Sequence, residues 1–237
     1  MSTQAQLLLP FFTETFQPIA LPAPSEKPRR AVEQRFTSTY QAKSIYASGI
    51  EEGKLSPQER KEKRKETNRL ALQLLRKRNL SFEEKEKIFN LYTGTGGLEE
   101  AVSFGQNEAS FGQYFTPVCI AEFAVNFLEV EEKARVLETS CGHGVFLNFL
   151  PTQDVVASEI KKETFRVAQA LFEKCKIHNL DMQEMTFLEG GVDYALGNPP
   201  YGLQFEDVPE HFDTRSEEGH LKSHLYALEQ NIKLLKE

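Results

Sequence analysis

Long apolar runs are missing from this 237-residue chain. No stretch approaches the ~18 residues that a membrane span requires. The apolar segment at 7–12 has no basic segment before it and no small-residue cleavage site after it, which argues against a secretory signal. Cysteine is scarce: Cys119, Cys141 and Cys175 lie far apart. They form neither a disulfide framework nor a CxxC zinc signature, so a reduced, cytoplasmic setting is expected. A basic excess is lacking as well. The net charge is −7, which argues against simple electrostatic binding of nucleic acid by the whole chain.

What is present suits a soluble globular protein, with 40% hydrophobic and 27% charged residues. The charge is divided unevenly. Residues 1–80 carry 15 Lys and Arg against 8 Asp and Glu, whereas residues 81–237 carry 13 against 27. A basic arm touching phosphate stays open. Residues 1–30 contain five prolines, and proline blocks helices and sheet ladders, so an extended or disordered leader is expected there. A charged helical region follows over 31–112. Ser56 and Glu59 form a capping box around Pro57, opening a helix over 56–80. It carries an apolar stripe at Leu70, Leu74 and Leu75 and a basic run from Arg60 to Lys65. Ser81 with Glu84 opens a second, shorter helix. The glycines at 94–97 resemble a phosphate loop, but no Gly-Lys-Ser/Thr follows, so a structural turn is the better reading.

From residue 113 the pattern becomes α/β. Short strands are expected at 135–139, 155–160, weakly at 182–188, and at 192–197. An amphipathic helix spans 161–176. Strands alternating with helices predict a parallel sheet with right-handed crossovers. Leu221, Leu225, Leu228, Ile232 and Leu235 recur at helical spacing and predict a terminal helix with one apolar face, with no strand after it.

Four constellations carry chemistry. Glu138-Thr139-Ser140-Cys141-Gly142-His143-Gly144 follows a strand, and its glycines let backbone approach a ligand. Leu147 stands where a dinucleotide fingerprint needs a third small residue, which disfavours a nicotinamide or flavin site. Cys141 and His143 have no companion ligands at suitable spacing, so no metal is expected. Glu159 ends the next strand, where an acidic side chain accepts hydrogen bonds from ribose hydroxyls. Asn198-Pro199-Pro200-Tyr201 ends the fourth strand and is the most specific signal. The prolines stiffen the backbone. Asn198 and Pro199 offer oxygen acceptors and Tyr201 offers a flat ring, a set suited to a planar ring bearing an amine. Finally, Thr116 is placed to cap a helix beginning at Pro117, with Ile120, Ala121, Phe123, Ala124 and Phe127 running into the core.

Taken in order, Phe-Thr-Pro, Glu-x-x-Cys-Gly-x-Gly-x-Phe-Leu, an acidic strand end and Asn-Pro-Pro-Tyr resemble the S-adenosylmethionine-dependent adenine-N6 DNA methyltransferases, over roughly 113–237. The segment at 92–98 is similar to one upstream of the methylase module in large phage and plasmid methylase–helicase proteins. The resemblance implies a Rossmann-like methyltransferase sheet with S-adenosylmethionine as cofactor and DNA as partner. It implies that Thr116, Cys141, Gly142 and Gly144 cradle the methionine end, that Glu138 lies near its ammonium, that Glu159 binds the ribose and that Phe187 flanks the adenine. Where the family has an Asp before that hydrophobic residue, this chain offers Thr186 or Glu184. A flipped adenine would stack on Tyr201 and donate to Asn198 and Pro199. The family has seven strands and about four are found here, so the resemblance implies an incomplete sheet. The remainder and the target-recognition region would come from a C-terminal half or a separate subunit. Competing readings are a protein-glutamine methyltransferase, an RNA methyltransferase, and a non-catalytic remnant that binds DNA or a partner through residues 1–80.

Overall fold

The computed structural model describes residues 35–36, 56–77, 79–93, 115–185 and 191–236. All of them lie in the compact unit Gln34–Glu237. The proline-rich leader, the glycine run at 94–97 and Phe187 lie outside the described residues, as do the side chains of Arg60, Lys61 and Arg64 in the basic run.

Both capping boxes form. Helix α1 (Pro57–Leu74) starts at Ser56, whose hydroxyl accepts from the Glu59 N–H while Glu59 reaches back to the Ser56 N–H. Ser81 and Glu84 make the same exchange at the start of α2 (Phe82–Thr93). The two helices pack together, joined by a hydrogen bond of 2.9 Å from the Tyr92 hydroxyl to Asn68. Ala71, Ile88, Phe89 and Tyr92 are buried in the main core.

Next comes α3 (Val118–Phe127), and it corrects two expectations. Pro117, not Thr116, occupies its N-cap, and no side chain caps it. Its buried residues are Ala121 and Val125; Ile120, Phe123 and Phe127 are 49%, 55% and 68% exposed. Periodicity identifies an apolar stripe but not what covers it.

The sheet contains β1 (Val136–Glu138), β2 (Val155–Ser158), β3 (Lys176–His178) and β4 (Tyr194–Ala195), all parallel, in the order β3-β2-β1-β4. β1 and β2 are buried along their whole length, as parallel strands covered on both faces should be. Helix α4 (Lys162–Leu171) connects β2 to β3 and buries Thr164, Val167, Ala168 and Leu171. Among the described residues the parallel sheet has the expected four strands and the α/β class holds, but the third strand lies earlier than expected. The helix stops at Leu171, Lys176–His178 pairs with β2, and 182–184 is a 3₁₀ turn.

After β4, an antiparallel ribbon of β5 (Gln204–Phe205) and β6 (Leu221–Lys222) leads into α5 (Ser223–Leu234). The ribbon has its own small core, in which Tyr226 of α5 stacks on Phe212 at 4.4 Å and meets Phe205 edge-on at 5.2 Å. Glu229 of α5 ties down the ribbon loop. It accepts from the N–H groups of Asp213 (2.6 Å) and Thr214 (3.1 Å) and from the Thr214 hydroxyl (2.6 Å). Here too the expected apolar face turns outward: Leu225, Leu228, Ile232 and Leu235 are exposed, and the buried side presents Tyr226, Ala227, Glu229 and Gln230. Past α5 the chain runs parallel to Val192. The Val192 N–H donates to Leu234 and the Lys236 N–H donates to Val192, each at 2.9 Å, where no strand was expected.

Candidate functional site

The chain lays down β1, β2 and β3 outward on one side, then returns to place β4 on the other side of β1. The segments leaving β1 and β4 therefore diverge, and a crevice opens between them at the carboxyl ends of the strands. A cavity partly open to solvent occupies that position; its empty space is about 730 Å³, open mouth included.

Its walls come from all four strand ends. Thr139, Ser140 and Gly142 follow β1; Glu159, Ile160 and Lys161 follow β2; Leu180, Asp181 and Met182 follow β3; Asn198, Pro199 and Pro200 follow β4. Phe115 closes one side, and Leu203 and Phe205 close another. Of the residues singled out from the sequence, Gly142, Glu159, Asn198, Pro199 and Pro200 thus line one cavity. Thr116, Glu138, Cys141 and Gly144 are not on its wall.

The turn after β1 is held from several sides. Gly142 and Gly144 have φ of +57° and +88°, a region that disfavours side chains. The Gly142 N–H donates to Glu159 at 3.0 Å, and the other Glu159 oxygen accepts from the Lys161 N–H at 2.7 Å. Glu159 is thereby fixed at the cavity edge. His143 is fully buried among the rings of Phe89, Tyr92 and Phe115, at 5.2–5.4 Å. The helical pair thus packs directly behind the glycine turn.

Glu138 sits below the turn, fully buried, near the main chain of Gly197. Its Oε2 has no hydrogen-bond partner among the described residues. Burial, and secondarily the charge of Glu159, pushes its carboxyl well above the usual carboxylate range. A buried polar atom left unsatisfied fits a cationic or hydrogen-bond-donating group placed beside it. Burial, followed by the charges of Glu138 and Glu159, also raises the Cys141 thiol, which makes it an inert packing group.

Around the two prolines the main chain is pinned. The Ser140 hydroxyl donates to the Asn198 carbonyl at 3.2 Å and the Ser223 hydroxyl to the Pro200 carbonyl at 2.7 Å. No hydrogen bond among the described residues reaches the Pro199 carbonyl or the Asn198 side chain. Tyr201 stands outside the cavity wall, 54% exposed, its ring 5.8 Å from that of His224.

Asp181 was missed in the sequence. It caps the 3₁₀ turn, accepting from the Gln183 N–H at 2.9 Å, and lines the cavity with Met182. Glu184, one of the two substitutes considered, reaches back to the Asp181 N–H at 2.9 Å; the other, Thr186, is outside the described residues. The available signal was an acid followed by a hydrophobic residue, three residues after the short run Lys-Ile-His.

Comparison with known proteins adds three findings. A family described as N-6 DNA methylase matches residues 101–227, more than half of the chain. The methylase subunit of the type I restriction enzyme MjaVII from Methanocaldococcus jannaschii is 26% identical over 119 residues, which cover 42% of this chain and 20% of that protein. Among solved structures, the methyltransferase subunit of a type I restriction-modification system from Streptococcus thermophilus aligns with a TM-score of 0.47 at 21% identity, over 65% of this chain and 36% of that one. The chain thus spans about a fifth of the curated relative's length.

Proposed function

Because the chain belongs to the N-6 DNA methylase family, we propose that it transfers a methyl group from S-adenosylmethionine to the N6 amine of adenine in DNA. The observation that carries this reading is the shared cavity. Gly142, Glu159 and Asp181 line the same cavity as Asn198 and Pro199.

The residues divide between two tasks. Gly142 gives the methionine part close access to the backbone, and the unsatisfied Glu138 oxygen answers its ammonium, directly or through water. Glu159 receives the ribose hydroxyls. Asp181 accepts from the adenine amine of the cofactor and Met182 packs against that ring. When bound, the cofactor supplies an electrophilic methyl on a sulfonium. The Asn198 side chain and the Pro199 carbonyl accept from the amine of a target adenine turned out of the duplex, and Tyr201 stacks on its ring. Those bonds draw the nitrogen lone pair out of conjugation and aim it at the methyl; the C–S bond would break as the C–N bond forms, leaving a neutral thioether, and the surplus amine proton would pass to water. Ser140 and Ser223 keep the two acceptors in place, so the contribution of the chain is positioning and preorganised hydrogen bonding.

Recognition of the target sequence is assigned to a partner element, a C-terminal continuation or a separate subunit. The acidic balance of residues 81–237 leaves the phosphate contacts to that element or to the basic residues near 60–78. The deciding experiment is Asn198→Ala with calorimetry and labelled methyl transfer to DNA, RNA and protein, assayed with the partner element present. Transfer to DNA should be lost while cofactor affinity stays within about twofold. Equal loss of both would refute the division of tasks, and transfer to protein or RNA instead of DNA would refute the substrate.

A further inference from the structure

Away from the cavity, one short piece of the N-terminal region is held as a ligand would be. The ring of Phe36 is buried between Phe82 (5.3 Å), Phe89 (5.3 Å) and Phe172 (5.7 Å, edge-on). Its main chain is bound as well. The Phe36 N–H donates to Asn148 Oδ1 at 2.9 Å, and Asn148 Nδ2 donates to the Phe36 carbonyl at 3.1 Å. One buried carboxamide satisfies both polar groups of one residue, as a neighbouring strand does in peptide recognition. Arg35 donates to the Phe149 carbonyl at 3.3 Å, and its guanidinium lies 5.8 Å from the centre of the Phe149 ring.

Two of the groups that grip Phe36, Asn148 and Phe172, also touch Gly144. The Asn148 N–H donates to the Gly144 carbonyl at 3.3 Å. The Phe172 ring lies against the Gly144 α-carbon, so close that a methyl there would meet it at 2.5 Å. Phe36 therefore braces the turn that begins at Gly142 through groups that do not line the cavity.

We propose that Phe36 is a positioning residue: seated in the Phe82–Phe89–Phe172 pocket and paired with Asn148, it holds the 142–148 turn in its ligand-binding form. The proposal rests on the reading of that turn as a cofactor cradle, yet the brace can be measured without cofactor.

The test uses the full chain with Phe36→Ala, and a synthetic peptide of residues 31–41 added in trans. Amide hydrogen exchange of the cofactor-free protein is read at Gly144 and Asn148 and, as an internal standard, at Leu137 and Ala157 in the sheet. Phe36→Ala should speed exchange at the turn at least tenfold and leave the sheet amides unchanged. Calorimetry should show S-adenosylmethionine binding weakened about tenfold, the loss expected if only one molecule in ten keeps the competent turn. The peptide should restore both readouts, and the same peptide with alanine for phenylalanine neither. If Phe36→Ala does not fold, Phe36→Leu, which fills part of the pocket, is measured in its place with the same peptides. Unchanged exchange at the turn, or equal acceleration in turn and sheet, would overturn the proposal by reducing Phe36 to a general core residue. Failure of the wild-type chain to bind S-adenosylmethionine would instead overturn the cofactor reading, and turn exchange alone would then decide the brace.

Discussion

Gly144→Ala tests how tightly the glycine turn is built. The substitution meets two obstacles. Alanine at a φ of +88° carries the left-handed penalty of an L residue, roughly 1–2 kcal/mol. Its methyl would also lie 2.5 and 2.7 Å from two ring atoms of Phe172. That ring cannot swing aside freely, because Phe36 packs against it. Overpacking of this kind costs roughly 1–3 kcal/mol. The total is about 2–5 kcal/mol, a large share of the stability of an ordinary domain. Urea unfolding of a double-mutant cycle with Phe172→Ala separates the two parts. Alone, Phe172→Ala should cost no more than about 3 kcal/mol, since the ring is only partly buried. In that background the clash is gone, and Gly144→Ala should cost only the backbone part, about 1–2 kcal/mol. The cycle should therefore show a favourable coupling of about 1–3 kcal/mol. Equal costs in both backgrounds, to within about 0.5 kcal/mol, would refute the claim that the ring sets the limit.

Other expectations concern the cavity and the ribbon. Asp181→Asn keeps the size of the side chain but weakens the acceptor, so S-adenosylmethionine affinity should fall severalfold; calorimetry giving an unchanged constant would remove Asp181 from the site. Burial raises the Glu138 carboxyl well above the usual carboxylate range, so a cationic ligand group beside it should lower its pKa and release a proton wherever the free protein holds one. Calorimetry over a series of pH values in buffers of different ionisation enthalpy should detect that release, and Glu138→Gln should abolish it. Because the folded-state pKa of Glu138 is raised, its contribution to stability is present below the unfolded value and is lost as pH rises towards the folded one. Glu138→Gln should therefore be at least as stable as the parent at pH 8 in thermal unfolding. Glu229 behaves in the opposite sense. Burial pushes it up, but hydrogen bonds from Thr214, Asp213 and Lys233 outweigh burial and hold it at about 2. Its stabilisation is present above the unfolded value and lost as pH falls through the folded one, so acid should free the ribbon between about pH 4.5 and 2. Glu229→Gln should flatten that part of the curve.

The helix starts were legible because capping is local chemistry: Ser56 with Glu59 and Ser81 with Glu84 need no tertiary partner. The sheet class was legible from the alternation of short apolar runs with helical ones. The position of β3 was not. Three residues, of which only Ile177 is apolar and buried, leave no period to detect. The direction of α3 and α5 was also misjudged. An apolar stripe states that a face can be buried, and the packing partner decides whether it is. In α5 the inward face is set by polar groups with definite partners. Ser223 donates to Pro200, Glu229 holds the ribbon, and Gln230 donates to the Met182 carbonyl at 2.8 Å.

The site shows the same split between local and non-local information. The two motifs that flank the cavity are readable because each needs unusual local backbone, glycines with positive φ in one and paired prolines in the other. What the sequence withholds is their distance. Ser140 and Asn198 are 58 positions apart and are joined by a hydrogen bond of 3.2 Å, because the strand order reverses between β1 and β4. The same reversal explains why Asp181 was overlooked while Glu159 was found. Glu159 directly follows a fully buried strand whose start at Val155 is plain in the sequence. Asp181 follows a strand identified only by its pairing with β2. Once that pairing is fixed, the first acid beyond β3 falls on the cavity wall that Gly142 and Glu159 also line.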